Sequence, residues 1–365
     1  MKIGILTFHC AHNYGAVLQC YALQKTLMLM GYEVDVIDYR PFFLLSSYDI
    51  FNTNRLISKN PIRFVKNCIR EILILPKRIK RYYNFDSFIK KKLHLSSLRI
   101  SIEKYIPDVY DVYIMGSDQI WNPRITKGFH APYFAFFPFP KRNRRYISYA
   151  ASMEVDKLND IDKDYFRRAL CNFDMLSVRE ERSISLLQPL SDRKISLVLD
   201  PTLLVKSELW DSIAVKPKIK EKYVVVYQVR TDENTMRIAK DIAQQIGGKV
   251  VKLVAFVDYF IRQNDHQCAS PEEFLGWIKY SSCVVSTSFH GTAFSIIFNK
   301  PFYTLRLEDG WDTRSRSLLE NLGLSNRLLL KSATPVFERI DYSDVNRKLE
   351  KMRFESKEFL KSSLI

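Results

Sequence analysis

A histidine stands where an apolar strand gives way to an apolar helix, in Val284-Val285-Ser286-Thr287-Ser288-Phe289-His290-Gly291-Thr292-Ala293-Phe294. Ser288 or Thr287 fits a helix N-cap, and Gly291 lets another group come close to the backbone. Free N–H groups at a helix N-terminus favour an anion. These residue types suit a phosphate or carboxylate held beside a protonatable ring. The competing reading is a hydrogen-bonded core histidine, the usual fate of a histidine in an apolar setting.

Three further loops follow strand-like runs. Phe8-His9-Cys10-Ala11-His12-Asn13-Tyr14-Gly15 places His12, Asn13 and Gly15 just before an apolar helix. Gly116-Ser117-Asp118-Gln119-Ile120-Trp121-Asn122-Pro123 offers Ser117, a candidate acid or base in Asp118, and a candidate sugar platform in Trp121. Ser177-Val178-Arg179-Glu180 offers a cation. Each has a structural alternative. Asp118 could cap a turn, Trp121 could be a core aromatic, Arg179 could pair on the surface, and Asn13 and Gly15 could simply turn the chain. Their shared placement after strand ends, in both halves of the chain, is the informative feature. Asp118, Asp200 and the histidines lack metal-ligand spacing, so no metal is expected. Neither a P-loop nor a GxGxxG is present, which argues against the commonest ATP and dinucleotide sites; no cofactor is expected.

Alternating strands and helices must position these loops. Ile3–Phe8, Glu33–Asp38, Val109–Met115, Arg145–Ala150, Met175–Val178 and Leu197–Leu199 read as strands, with helices over Gly15–Met30 and Asp162–Cys171 and another from Glu180. After the charged connector Val215–Lys222, a second set begins at Tyr223. Strands are expected at Tyr223–Val229, Lys249–Val254, Cys283–Thr287 and Pro301–Leu305, and helices at Glu233–Gln245, Pro271–Tyr280 and Thr292–Phe298. The pattern predicts an α/β protein of two Rossmann-like domains with a cleft between them, a GT-B-type arrangement. Expected units are 1–214, 223–340, and a charged C-terminal helix over 341–365.

At 365 residues the chain has room for two cores. No apolar run approaches the ~20 residues that span a bilayer. The first strand lacks a small-residue cleavage site, and the six cysteines form no CxxC pair. Both features predict a cytoplasmic protein with reduced thiols. The net charge of +16 predicts an anionic partner. From Asn54 to Lys104 fourteen Lys and Arg face three acids, interleaved with apolar residues. This basic amphipathic insertion is either a helix face packed on the core or a contact for an anionic membrane surface or a diphosphate lipid. No nucleic-acid motif is present, so no nucleic-acid partner is expected.

The set of loops resembles the polysaccharide pyruvyl transferase family. The matching stretches are HNYGAVLQCYAL (12–23), DVYIMGSDQIWNP (111–123), ISYAAS (147–152), SVREERS (177–183), LDPTLL (199–204) and SFHGTAFSIIFNKPF (288–302). The resemblance implies transfer of pyruvate from phosphoenolpyruvate to a sugar of a cell-surface polysaccharide precursor as a ketal, with release of phosphate. It places His290 at the donor site as phosphate ligand or general acid, with Ser288, Phe289 and Gly291 around it. Arg179, in the SVRE match, becomes a bidentate donor ligand, and Arg314 a further one. Asp118 would deprotonate the acceptor hydroxyl, while His12, Asn13, Gly15, Ser117 and Trp121 line the cleft. The expected acceptor is a lipid-linked oligosaccharide at the inner face of the membrane, where the protein would be peripheral. The alternatives are a glycosyltransferase using a nucleotide sugar in the same cleft, and a non-catalytic glycan- or lipid-binding scaffold.

Overall fold

A computed structural model describes residues 1–46, 48, 50, 60–230, 232–257, 265–306 and 313–365. Among the described residues twelve strands form two six-stranded sheets, and every pairing within them is parallel. The first sheet contains β1 (Lys2–Leu6), β2 (Glu33–Val36), β3 (Val112–Asp118), β4 (Arg145–Ala151), β5 (Leu176–Val178) and β6 (Ile195–Leu197), in the order β2-β1-β3-β4-β5-β6. The second contains β7 (Tyr223–Gln228), β8 (Lys249–Val254), β9 (Asp265–His266), β10 (Cys283–Ser286), β11 (Phe302–Leu305) and β12 (Leu328–Leu329), in the order β12-β11-β10-β7-β8-β9. Counted within its own half, the second order reads 6-5-4-1-2-3, the doubly wound dinucleotide-fold order run backwards. The chain reverses direction across the sheet between β1 and β3 in one half and between β7 and β10 in the other. Loops leaving these four strands splay apart and open a crevice at each sheet's carboxyl edge.

The helices are α1 (Tyr14–Leu29), α2 (Phe42–Leu45), α3 (Pro61–Lys92), α4 (Pro123–Thr126), α5 (Asp160–Leu170), α6 (Glu181–Leu187), α7 (Pro201–Leu204), α8 (Ser207–Asp211), α9 (Glu233–Gln245), α10 (Pro271–Lys279), α11 (Phe289–Ile297), α12 (Thr313–Leu322) and α13 (Ser343–Leu364). Strands β1, β3, β4, β7, β10 and β11 are buried nearly throughout, as parallel strands covered on both faces must be, and so read as runs such as Val224-Val225-Val226.

Beneath the crevice the two halves share one core. Tyr14 of α1 stacks on Phe274 of α10 at 4.4 Å and meets Tyr227 of β7 edge-on. Trp210 of α8 packs against Tyr21 of α1 and Phe294 of α11. The charged helix α13 returns to the first half. Its Ser356 hydroxyl accepts from Leu199 N–H, and Arg353 Nε donates to the Leu203 carbonyl.

The insertion is one long helix, α3; residues 54–59 of that expected segment lie outside the described residues. The reading as a helix face packed on the core holds for part of it. Ile74, Arg81, Phe85, Phe88 and Ile89 are buried, whereas Ile62, Val65, Ile69, Ile72 and Leu73 are exposed. Other departures are small. The sixth strand is Ile195–Leu197, earlier than expected, and two short edge strands, β9 and β12, lacked enough β-branched residues to be visible. The helix carrying the histidine begins at Phe289, not Thr292, so His290 and Gly291 lie in its first turn.

Candidate active site

The loops leaving β1, β3, β7 and β10 meet around a cavity of about 300 Å³. From the first half come Phe8, Asn13, Asp118 and Glu154; from the second come Arg230, Thr287, Ser288, Phe289, His290 and Arg314. Tyr48 and Phe256 add aromatic surface.

His290 is nearly buried, at 6% exposure. The N-cap of its helix is Ser288, whose side chain makes no capping hydrogen bond, so first-turn N–H groups stay open at the cavity wall. The imidazole lies against α1 of the other half. A Cβ added at Gly15 would stand 2.0 Å from His290 Nδ1, so glycine there makes room for the ring. His290 Nε2 has no hydrogen-bond partner and stands 3.7 Å from Asp200 Oδ2, close enough for an ion pair and too far for a hydrogen bond. Gly291 is fixed by the same logic, since a Cβ there would meet Ser286 Oγ at 2.2 Å.

Asp200 caps α7, its Oδ1 accepting from Thr202 N–H at 3.0 Å and Thr202 Oγ1 at 2.7 Å. Burial opposes its charge, but His290, Arg179 and the Thr202 N–H hold the carboxyl well below the usual range. Arg179 is enclosed by carboxylates: Nη1 donates to Asp200 at 2.6 Å, Nε to Glu180 at 3.3 Å, and Nη2 to Asp118 at 3.5 Å. It does not reach the cavity wall, so its placement departs from direct donor contact. A guanidinium balanced by three acids is a fixed hub that aims Asp118 and Asp200.

Two carboxylates of the wall sit in left-handed backbone, Asp118 at φ +76° and Glu154 at φ +47°. Such backbone is uncommon for these residues and is retained where surrounding structure over-determines it. Asp118 Oδ1 also accepts from Gln119 N–H at 2.8 Å. Glu154 Oε1 accepts from Arg314 at 2.8 Å across the crevice, while its buried Oε2 has no partner. Burial raises its pKa, and Arg314 partly offsets that. The Phe289 ring lies between the guanidiniums of Arg179 at 5.1 Å and Arg314 at 5.8 Å, a cation–π stack that holds Arg314 at the wall.

The family model of the polysaccharide pyruvyl transferases matches residues 13–309. The chain belongs to the polysaccharide pyruvyl transferase family. This is a family of enzymes, and its name implies a polysaccharide acceptor. Comparison with curated proteins returns no match. Similar solved structures include a UDP-GlcNAc 2-epimerase from Methanocaldococcus jannaschii, 12% identical over 97% of this chain and 93% of that one, with a TM-score of 0.43. Another is a putative UDP-N-acetylglucosamine 2-epimerase from Listeria monocytogenes, 9% identical over 99% and 87%, TM-score 0.47. A glycosyltransferase from Streptomyces nogalater is 11% identical over 98% and 95%, TM-score 0.44.

Of the residues expected in this pyruvyl-transferase-family site, the cavity gathers Asn13, Asp118, Ser288, Phe289, His290 and Arg314, with Gly15 and Gly291 shaping it from behind. Besides Arg179, three others lie elsewhere. Trp121 is not a sugar platform: it is buried, its Nε1 donates to the Tyr133 carbonyl, and it stacks on Phe134. Ser117 is buried with its hydroxyl donating to the Ala150 carbonyl. His12 is packed among Tyr48, Tyr82 and Phe85 beneath the wall. Sequence reasoning missed Glu154 and the role of Asp200. Asp200 stood inside a matched stretch, before a proline that favours the first turn of a helix, which was the usable signal. Glu154 follows its matched stretch by two residues and carried none.

Proposed function

We propose that the protein transfers pyruvate from phosphoenolpyruvate to a glycan as a ketal, with the donor bound in this cavity. The observation that supports the reading best is the unpartnered His290 Nε2, buried beside Asp200 at an open helix N-terminus. Phosphoenolpyruvate brings a phosphate and a carboxylate. The first-turn N–H groups of α11 and the Arg314 guanidinium are suited to receive them.

In this reading His290 gives its Nε2 proton to the enol methylene, making a methyl group and a cationic carbon. The negative charge of Asp200 stabilises the imidazolium before transfer. Asp118 takes the proton of an acceptor hydroxyl as its oxygen bonds to the cationic carbon. The carbon–oxygen bond to phosphate then breaks, and a second hydroxyl closes the ketal. Glu154, with one free oxygen at the wall, is the carboxylate placed to take that second proton. Of the two hydroxyl protons, one replaces that given to the methyl and one leaves with phosphate. The acceptor in this reading is a lipid-linked oligosaccharide at the cytoplasmic membrane face, and no cofactor is needed.

Calorimetric titration with phosphoenolpyruvate tests it, with a uridine-diphosphate sugar in parallel and His290→Ala as control. Phosphoenolpyruvate binding that is lost or greatly weakened in the variant is the expected result. Binding of the nucleotide sugar alone would replace the proposal with glycosyl transfer.

A further inference from the structure

Helix α3 carries two apolar stripes, and only one is covered. Ile74, Phe85 and Phe88 are buried against the body. Ile62, Val65, Ile69, Ile72 and Leu73 are between 52% and 69% exposed. At 3.6 residues per turn these five fall within an arc of about 100°, and Ile74 and Phe85 point roughly the opposite way. The exposed set is therefore a continuous stripe along the outward side of the helix, not a scatter of single residues.

Charge identifies the occupant. Lys66, Lys77 and Lys80 border the stripe, all exposed, and Arg63 lies further round. Between residues 60 and 85 the only acid is Glu71, and it is paired with Arg78. A two-fold contact with a second copy would pack one lysine-edged stripe against another, cations facing cations. An anionic lipid surface accepts the apolar stripe among its acyl chains and the lysines among its headgroups. The helix lies on such a surface and does not cross it: no described helix is long and apolar enough to span a membrane.

We propose that the outer face of residues 62–80 of α3 docks on an anionic lipid bilayer. The same helix reaches the candidate active site. Arg81 donates to the His12 carbonyl, one residue before Asn13 of the cavity wall. From Leu73 to Arg81 is about 12 Å along the helix axis. Docking through this face thus holds the cavity close to the lipid, where a membrane-borne acceptor is presented. The inference is independent of the donor: vesicle binding and phosphoenolpyruvate binding are separate readouts.

The test is co-sedimentation with vesicles of three parts phosphatidylcholine to one part phosphatidylglycerol, against phosphatidylcholine alone, at low and high salt. Ile69→Gln/Ile72→Gln and Lys66→Glu/Lys77→Glu change exposed positions only, and circular dichroism and phosphoenolpyruvate titration check that each variant keeps its fold and its cavity. Expected is binding to the anionic vesicles alone, weakened by salt and by roughly tenfold or more in each double variant. No binding to anionic vesicles at low salt overturns the proposal. So does binding that both variants retain in full, or light scattering that shows a dimer dissolved by Ile69→Gln/Ile72→Gln in a protein that ignores vesicles.

Discussion

Gly15 and His290 are 275 positions apart in the chain and touch in the fold, which makes the glycine a sharp probe of the histidine. Gly15→Ala puts a methyl group where Nδ1 lies, so the ring must leave its present seat opposite Asp200. Under the proposed mechanism activity falls about a hundredfold, the scale for a misplaced catalytic group, with circular dichroism unchanged; full phosphate release from phosphoenolpyruvate would sink the proposed role of the ring. His12 carries a different prediction. Burial, with Arg81 as the second cause, lowers its pKa to about 4. Between that value and the ordinary ~6.5 the unfolded chain binds a proton that the folded chain refuses. Stability therefore falls as pH drops from about 6.5 towards 4, and below that range Asp200 adds a further loss as its depressed carboxyl is finally protonated. Urea midpoints against pH should slope less steeply for His12→Gln than for the native chain; parallel curves would refute the cause. At this scale the sequence was legible where a residue type was both chemically suited and placed after a strand. It misled where suitability had no bearing on direction, as at Trp121, whose loop turns the indole inward.

Whole elements were more legible than single side chains. Strand runs such as Tyr223–Gln228 are buried throughout because both faces are covered, and α10 announces itself with Ser270, Pro271 and two glutamates. That opening is a complete capping box, with Ser270 Oγ accepting from Glu273 N–H and the Glu273 carboxylate accepting from Ser270 N–H. Ser270→Ala should cost about 1 kcal/mol, seen as a lower urea midpoint with an unchanged slope. A neutral result would mean that packing of α10 on α1 fixes the helix end without the cap. Helix α3 shows the limit of periodicity. Its pattern predicts a helix correctly, but two apolar stripes satisfy the same count, and only the position of the partner surface tells which one is buried.

For the molecule as a whole, the least expected residue is Arg81. It sits among surface-type cations in the sequence, yet it is buried where the halves meet. Its guanidinium donates to five oxygens, those of Tyr14 Oη and the carbonyls of His12, Val254, Ala255 and Gln267. Arg81→Met removes these five hydrogen bonds at the joint. We expect a loss on the order of 3 kcal/mol and, by two-probe unfolding, transitions of the halves that no longer coincide. Coincident transitions at native stability would show that the shared apolar core alone holds the joint. The joint also bears on how the candidate active site is assembled. His290 belongs to one half, while the glycine that seats its ring and the carboxylate across from Nε2 belong to the other. Any swing that parts the halves unseats the ring and removes its counter-charge in one movement. In the proposed mechanism a proton donor so placed would be armed only while the halves stay together, and parting them would leave it without its seat and its counter-charge.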